Sequence, residues 1–237
     1  MTASARDYAA IYSGFHAPIS KVYNCGAKCA PYNGGVPVCC DAEHAIPIVE
    51  KSEYALLKKR TKMWKPFVAR TSDQKAEIED LKGSDSCAVE CRGAQYCERD
   101  NRSLACRSFP FFPYFDAEKN FVGLAHYWNF EGLCWVIHNL TIVEKPFIDQ
   151  FIKMHEFIFK KDDNWRVTYV EHSAVMRGVY SRRKESFAII MRDGSYRWVL
   201  PKSGGKMVPA TKKELLALRK GFTLPEMEFE NVLEVVR

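Results

Sequence analysis

A chain of 237 residues with 47% hydrophobic content is long enough to bury a core unaided, so its nine cysteines are not needed as disulfide staples. It contains no apolar run of about 18 residues, and its first thirty residues lack the apolar core and small-residue cleavage site of a secretory signal. The expected address is cytoplasmic, where thiols stay reduced, and an odd number of cysteines leaves one over in any pairing. Of the net charge of +6, residues 161–237 carry most, with fifteen Lys and Arg against ten Asp and Glu. That excess is either a solvated face or a docking surface for an anionic protein or a nucleic acid. No nucleic-acid motif accompanies it, and no membrane contact is expected.

In chain order, residues 1–63 begin as an irregular stretch that carries Cys25 to Cys40 and is broken by the turn signal Asn33-Gly34-Gly35. A helix is expected over 48–63, with Tyr54, Leu56, Leu57 and Met63 inward. A polar linker, 71–86, leads to a second cysteine stretch, 87–106, and then to Phe109-Pro110-Phe111-Phe112-Pro113-Tyr114-Phe115, where two prolines forbid a continuous helix. Over 145–160 the pattern predicts a helix that starts on Pro146 and has an apolar stripe of Phe147, Phe151, Met154 and Ile158. Candidate strands follow at 166–172 and 175–180. Strands at 186–191 and 196–200 flank Asp193-Gly194, a tight-turn pair, and predict a hairpin. Thr211 with Glu214 forms a capping-box pattern for a helix over 212–220, stopped by Gly221. The expected fold class is α+β. An irregular cysteine-cluster region with helices fills residues 1–160, and a small basic β-hairpin and helix region fills 161–237.

The cysteines carry the chemistry. Cys25, Cys29, Cys39 and Cys40 fall within sixteen positions, then come Cys87, Cys91, Cys97 and Cys106, and Cys134 follows alone. Thiolates are soft, charged donors suited to zinc, cuprous copper and iron-sulfur clusters, and a four-coordinate site generally draws ligands from two chain segments. A disulfide between the neighbours Cys39 and Cys40 would be strained, whereas two adjacent donors can serve neighbouring metals or different faces of one cluster. Short Cys-x2-4-Cys knuckles of zinc fingers are scarce here, and bacterial ferredoxin spacing is absent.

Cys25, Cys29 and the Cys39-Cys40 pair, with Cys97 and then Leu104-Ala105-Cys106-Arg107-Ser108-Phe109-Pro110, resemble the YkgJ-type cysteine-cluster family, described as zinc- or iron-chelating. The resemblance covers about residues 20–140. It implies ligands at Cys25, Cys29, Cys39, Cys40, Cys87, Cys97 and Cys106, with Cys134 closing the set, and gives Cys91 no counterpart. Two features depart from the family pattern: the gap from Cys29 to Cys39 is wider, and Arg102-Ser103 stands where the family has Arg-Pro. Flagellin lysine methylases share the cysteine layout, although no glycine-rich S-adenosylmethionine loop is visible in this chain.

Arg102 and Arg107 are candidates to neutralise thiolate charge or donate hydrogen bonds to sulfur. His44, His126 and His138 lie near the cysteines in sequence and are weaker candidate ligands, as are Asp41 and Glu43; His155 and His172 are weaker still. The expected function is metal binding, with zinc or an iron-sulfur cluster held by about eight thiolates in a structural or redox role. The alternative is an iron-sulfur or iron enzyme, of lysine-methylase-like or oxidative activity. The basic C-terminal region is the expected protein-docking surface.

Overall fold

The chain opens on a capped helix, because Ser4 and Asp7 satisfy each other's backbone N–H groups across the first turn of α1 (Ala5–Gly14). Tyr8, Ile11 and Tyr12 form its buried face. A five-residue helix follows, α2 (Cys25–Cys29), and then 3-10 turns at Ala30–Tyr32 and Val38–Cys40. The computed structural model describes residues 2–217.

The helix expected over 48–63 is shorter, because its first three residues are taken into a sheet and it ends at Arg60. β1 (Ile48–Glu50) and β2 (Trp64–Pro66) flank α3 (Lys51–Arg60) and pair antiparallel on either side of β3 (Ser86–Cys91), in the order β1-β3-β2. Leu57 and Met63 are buried as expected, whereas Tyr54 and Leu56 are only half-buried. The span expected as a polar linker contains α4 (Ser72–Asp80), capped by Thr71 and Gln74. No residue of α4 is buried, so its pattern shows no apolar period.

After α5 (Leu104–Ser108) and a cis Phe109–Pro110 bond, the aromatic segment becomes β4 (Phe111–Phe115), which pairs with β5 (Phe121–His126). Two long helices follow. α6 (Lys145–Lys161) matches expectation, with Phe147, Phe151, Met154 and Ile158 buried. α7 (Asp163–Arg183) replaces the two strands expected at 166–172 and 175–180. Its buried or half-buried positions, Tyr169, Ser173, Met176 and Tyr180, follow a helical period, while Val167 and Val175 face solvent. Asp162, accepting from the N–H of Asn164 at 3.0 Å, starts a helix instead.

The expected hairpin is present as β6 (Phe187–Met191) and β7 (Tyr196–Leu200), with Gly194 at φ 88°. β8 (Lys206–Ala210) completes a second sheet in the order β4-β5-β6-β7-β8, followed by α8 (Lys212–Ala217). The capping box of α8 is formed by Thr211 and Glu214. Residues 218–220 and Gly221 of the expected helix lie outside the described residues. The second sheet passes through the boundary expected at residue 160, because β5 pairs directly with β6. Gly123 permits that pairing: a Cβ there would stand 2.1 Å from the Ile190 carbonyl oxygen.

The fold is thus α+β, as expected. Three of the four edge strands carry proline (Pro66, Pro113 and Pro209), which removes donors that would otherwise recruit another strand. Among the described residues no helix is long and apolar enough to cross a membrane.

Candidate metal centre

Cysteine side chains from six parts of the chain meet at one cavity of about 600 Å³. Eight of the nine thiols line it, all but Cys87, and none of the nine is in a disulfide. α2 supplies Cys25 and Cys29 from successive turns, the 3-10 turn Val38–Cys40 supplies the vicinal pair, and the end of β3 supplies Cys91. Cys97 comes from a loop and Cys106 from α5. Cys134 follows Trp128–Phe130, its N–H bonded to the Phe130 carbonyl at 2.8 Å.

The set lining the cavity differs from the expected ligand set at one position. Cys87 lies near the start of β3, paired with Val49, and its charged neighbours are Lys51, Glu53 and Lys58 rather than other thiols. Cys91, set aside from the sequence, lies at the other end of the same strand and lines the cavity. Four residue steps along the strand separate the two by about 13 Å, so they share a face but cannot share an ion. The sequence treats Cys87 and Cys91 alike as a Cys-x3-Cys pair; only the strand and its pairing separate them.

The α5 segment is seated by two acceptors. Ser103 Oγ receives the Cys106 N–H at 3.2 Å, and Glu53 Oε1 receives the Leu104 N–H at 2.6 Å. Glu53 is buried and also accepts from the Tyr12 hydroxyl at 2.5 Å. Burial raises its carboxyl to about 7. No sequence motif marked Glu53, because its partners lie 41 and 51 residues away.

Arg102 takes the role expected of it: its Nε donates to the Cys97 sulfur at 3.1 Å. Burial opposes charge on Arg102, but that hydrogen bond and the nearby Cys106 and Cys39 thiols outweigh burial and raise its pKa. Arg107 lines the cavity, yet its hydrogen bonds go to the carbonyl oxygens of Arg102, Phe15 and Asp100, and its guanidinium lies over the Tyr12 ring. It braces the backbone around the thiols and donates no hydrogen bond to sulfur.

Burial shapes thiol ionisation. Cys106 and Cys134 are pushed up to about 12, and Cys25, Cys29 and Cys91 are also raised by burial. Cys40 is the exception. A hydrogen bond from Cys39, helped by Arg102, overcomes burial and lowers it to about 7, while the same bond raises Cys39. The pair therefore sets a thiol that ionises more easily beside one that ionises less easily.

Comparison with family models, with curated proteins and with solved structures finds no match to this chain.

None of the expected secondary candidates lines the cavity. His44 bonds Asn33 at 2.9 Å, and Asp41 accepts from Asn33 and from the N–H of Glu43. His126 joins Glu131 and Tyr180, and Arg183 closes on the same carboxylate at 2.7 Å. His138 bonds the Glu131 carbonyl oxygen. His155 is buried in the core, with Nδ1 2.9 Å from the Phe151 carbonyl oxygen, and burial lowers it to about 3. His172 packs against Phe112, Tyr127 and Trp128. His16 does line the cavity, a position the sequence did not single out.

The donor chemistry fits a soft metal: thiols dominate, a guanidinium already bonds one sulfur, and one thiol is poised to ionise near neutral pH. Among the described residues, no three His, Cys, Asp or Glu side chains form a ready-made single-ion site. The eight thiols are instead distributed around the cavity wall.

Proposed function

We propose that this protein binds metal through cysteine thiolates, with an iron-sulfur cluster as the favoured occupant and zinc as the alternative, in a structural or redox role. The observation that carries this reading is the convergence of eight thiols on one cavity beside Arg102. Thiols from six chain segments meet there, and the resemblance to the YkgJ-type family points the same way. An iron-sulfur cluster supplies one-electron transfer, and zinc supplies a closed cross-link between chain segments.

The protein's own contribution is to hold and shield. Glu53 and Ser103 fix the α5 backbone that carries Cys106. Arg102 offsets thiolate charge through its bond to Cys97, and Arg107 ties the loop to Phe15 and Asp100. Cys40 offers the first ionised sulfur, and each further ligand gives up a thiol proton to solvent as it binds.

A second reading, an enzyme whose metal site acts on a bound molecule, is favoured by the wall formed by Phe15, His16, Ala17, Pro18 and Ile19, which leaves space beside the thiols. Metal and acid-labile sulfide analysis of the anaerobically purified chain, read with its visible spectrum, tests the proposal. Iron and sulfide in equal amounts with broad visible absorption support the cluster, colourless protein with zinc supports the alternative, and metal-free protein with nine freely titrating thiols and an intact fold overturns both.

A further inference from the structure

Residues 58–70 hold six Lys and Arg and no Asp or Glu. Lys58, Lys59 and Arg60 end α3, where they complement the carbonyl end of the helix. That explanation does not reach Lys62, Lys65 and Arg70, which lie beyond the helix, and all six side chains are exposed. Lys65 and Arg70 share one carboxylate, Glu90, at 2.6 and 3.9 Å. Lys59 and Lys62 pair with no carboxylate among the described residues.

The fold widens this run into a surface. Arg92 N bonds the Met63 carbonyl oxygen at 3.1 Å, Arg60 Nε donates to Asn101 Oδ1 at 2.9 Å, and the Trp64 indole N–H donates to the Asn101 carbonyl oxygen at 2.8 Å. These bonds seat the loop 92–102 beside β2 and add the exposed Arg92 and Arg99 to the cations of the run. The acids of that loop are Glu98, held by Thr61 at 2.9 Å and Asn101 at 2.6 Å, and Asp100. The surface adjoins the thiol cavity, whose wall includes Met63, Trp64 and Arg99.

Its chemistry narrows the partner. Pro66 removes a donor from the edge strand β2, so a partner docks on side chains rather than by adding a strand. Trp64 and Phe67 are buried, and the exposed Tyr96 ring has the Arg92 guanidinium 4.6 Å from its centroid. The surface therefore offers cations without a free aromatic platform for bases, which favours the carboxylates of a protein over a nucleic-acid strand. Val68, 66% exposed, adds an apolar contact. In the C-terminal region, by contrast, Lys161, Arg183 and Arg192 are each tied to a carboxylate, on Asp7, Glu131 and Glu156.

We propose that the surface built from residues 58–70 and the loop 92–102 docks a protein with an acidic face, at the rim of the thiol cavity. This goes beyond the metal-binding reading and holds whatever the cavity contains.

Fluorescence anisotropy of labelled poly-L-glutamate titrated with the full chain at low ionic strength tests it, with an oligodeoxythymidylate of equal charge as the second probe. The unaltered protein should bind poly-L-glutamate more tightly than the oligonucleotide, and added salt should weaken the complex. Lys59→Glu with Lys62→Glu should weaken it at least about tenfold, while Lys202→Glu with Lys206→Glu, the same charge change on exposed C-terminal residues, should stay within about twofold. Lys59→Gln with Lys62→Gln should lose less in the same direction, and decides the matter if circular dichroism shows the reversed variant unfolded. Equal loss in the two reversed pairs would show attraction by net charge alone and overturn the proposal. Tighter binding of the oligonucleotide would overturn it in favour of a nucleic acid, and no binding of poly-L-glutamate at low salt would overturn it outright.

Discussion

Glu53→Gln removes a buried titrating group from beneath the cavity while keeping an oxygen to accept from Tyr12 and from the Leu104 N–H. Burial lifts the Glu53 carboxyl from 4.5 to about 7. At about 1.36 kcal/mol per pKa unit, that shift corresponds to about 3 kcal/mol of pH-dependent stability. Because the folded value is the higher one, the contribution is complete below pH 4.5 and is lost as pH rises through about 7. Urea unfolding of the reduced, metal-free protein from about pH 4.5 to about pH 8 measures it. The stability of the unaltered protein relative to Glu53→Gln should fall by about 3 kcal/mol across that window, since glutamine does not titrate. Parallel curves for the two proteins would show that Glu53 ionises as freely in the fold as in the open chain, and would refute the account of its seat.

Cys91→Ser should lower bound metal per chain, while Cys87→Ser should leave it unchanged; elemental analysis of the two purified variants checks this, and the reverse pattern would restore the ligand set read from sequence. Metal affinity should rise with pH, because burial holds Cys106 and Cys134 protonated to about 12 and binding must displace those protons. Calorimetry in buffers of different ionisation enthalpy should detect that release, and a buffer-independent heat would contradict it. Gly123→Ala should cost at least about 3 kcal/mol in unfolding free energy, because the new methyl meets the Ile190 carbonyl oxygen across the β5–β6 pair. Gly132→Ala, which meets nothing within 4 Å, serves as the neutral control.

Elements with strong local signals were readable in the sequence. α6 has a pure helical stripe and a proline in its first turn, and the β6–β7 hairpin has its Asp193-Gly194 turn. α7 was not readable, because its exposed Val167 and Val175 obscured a buried stripe of mixed chemistry that includes Ser173. β1 and β2 are three residues each and exist only because β3 lies between them, a partner more than twenty residues downstream. The same dependence on distant pairing explains the site. The sequence marks cysteines as neighbours through local spacing, which gives Cys25 with Cys29 and Cys39 with Cys40. Choosing Cys91 over Cys87 requires knowing which end of β3 reaches the cavity. Arg102 was legible through its place between cysteines, whereas Glu53 acts through contacts that only the folded chain creates.

The most direct measurement of the central claim is the metal and sulfide content of the full chain purified without oxygen, taken beside its visible absorption. The account predicts bound metal, with iron and sulfide in matching amounts and broad visible absorption as the favoured result. Protein that is free of metal, folded, and open to thiol reagents at all nine cysteines would contradict it.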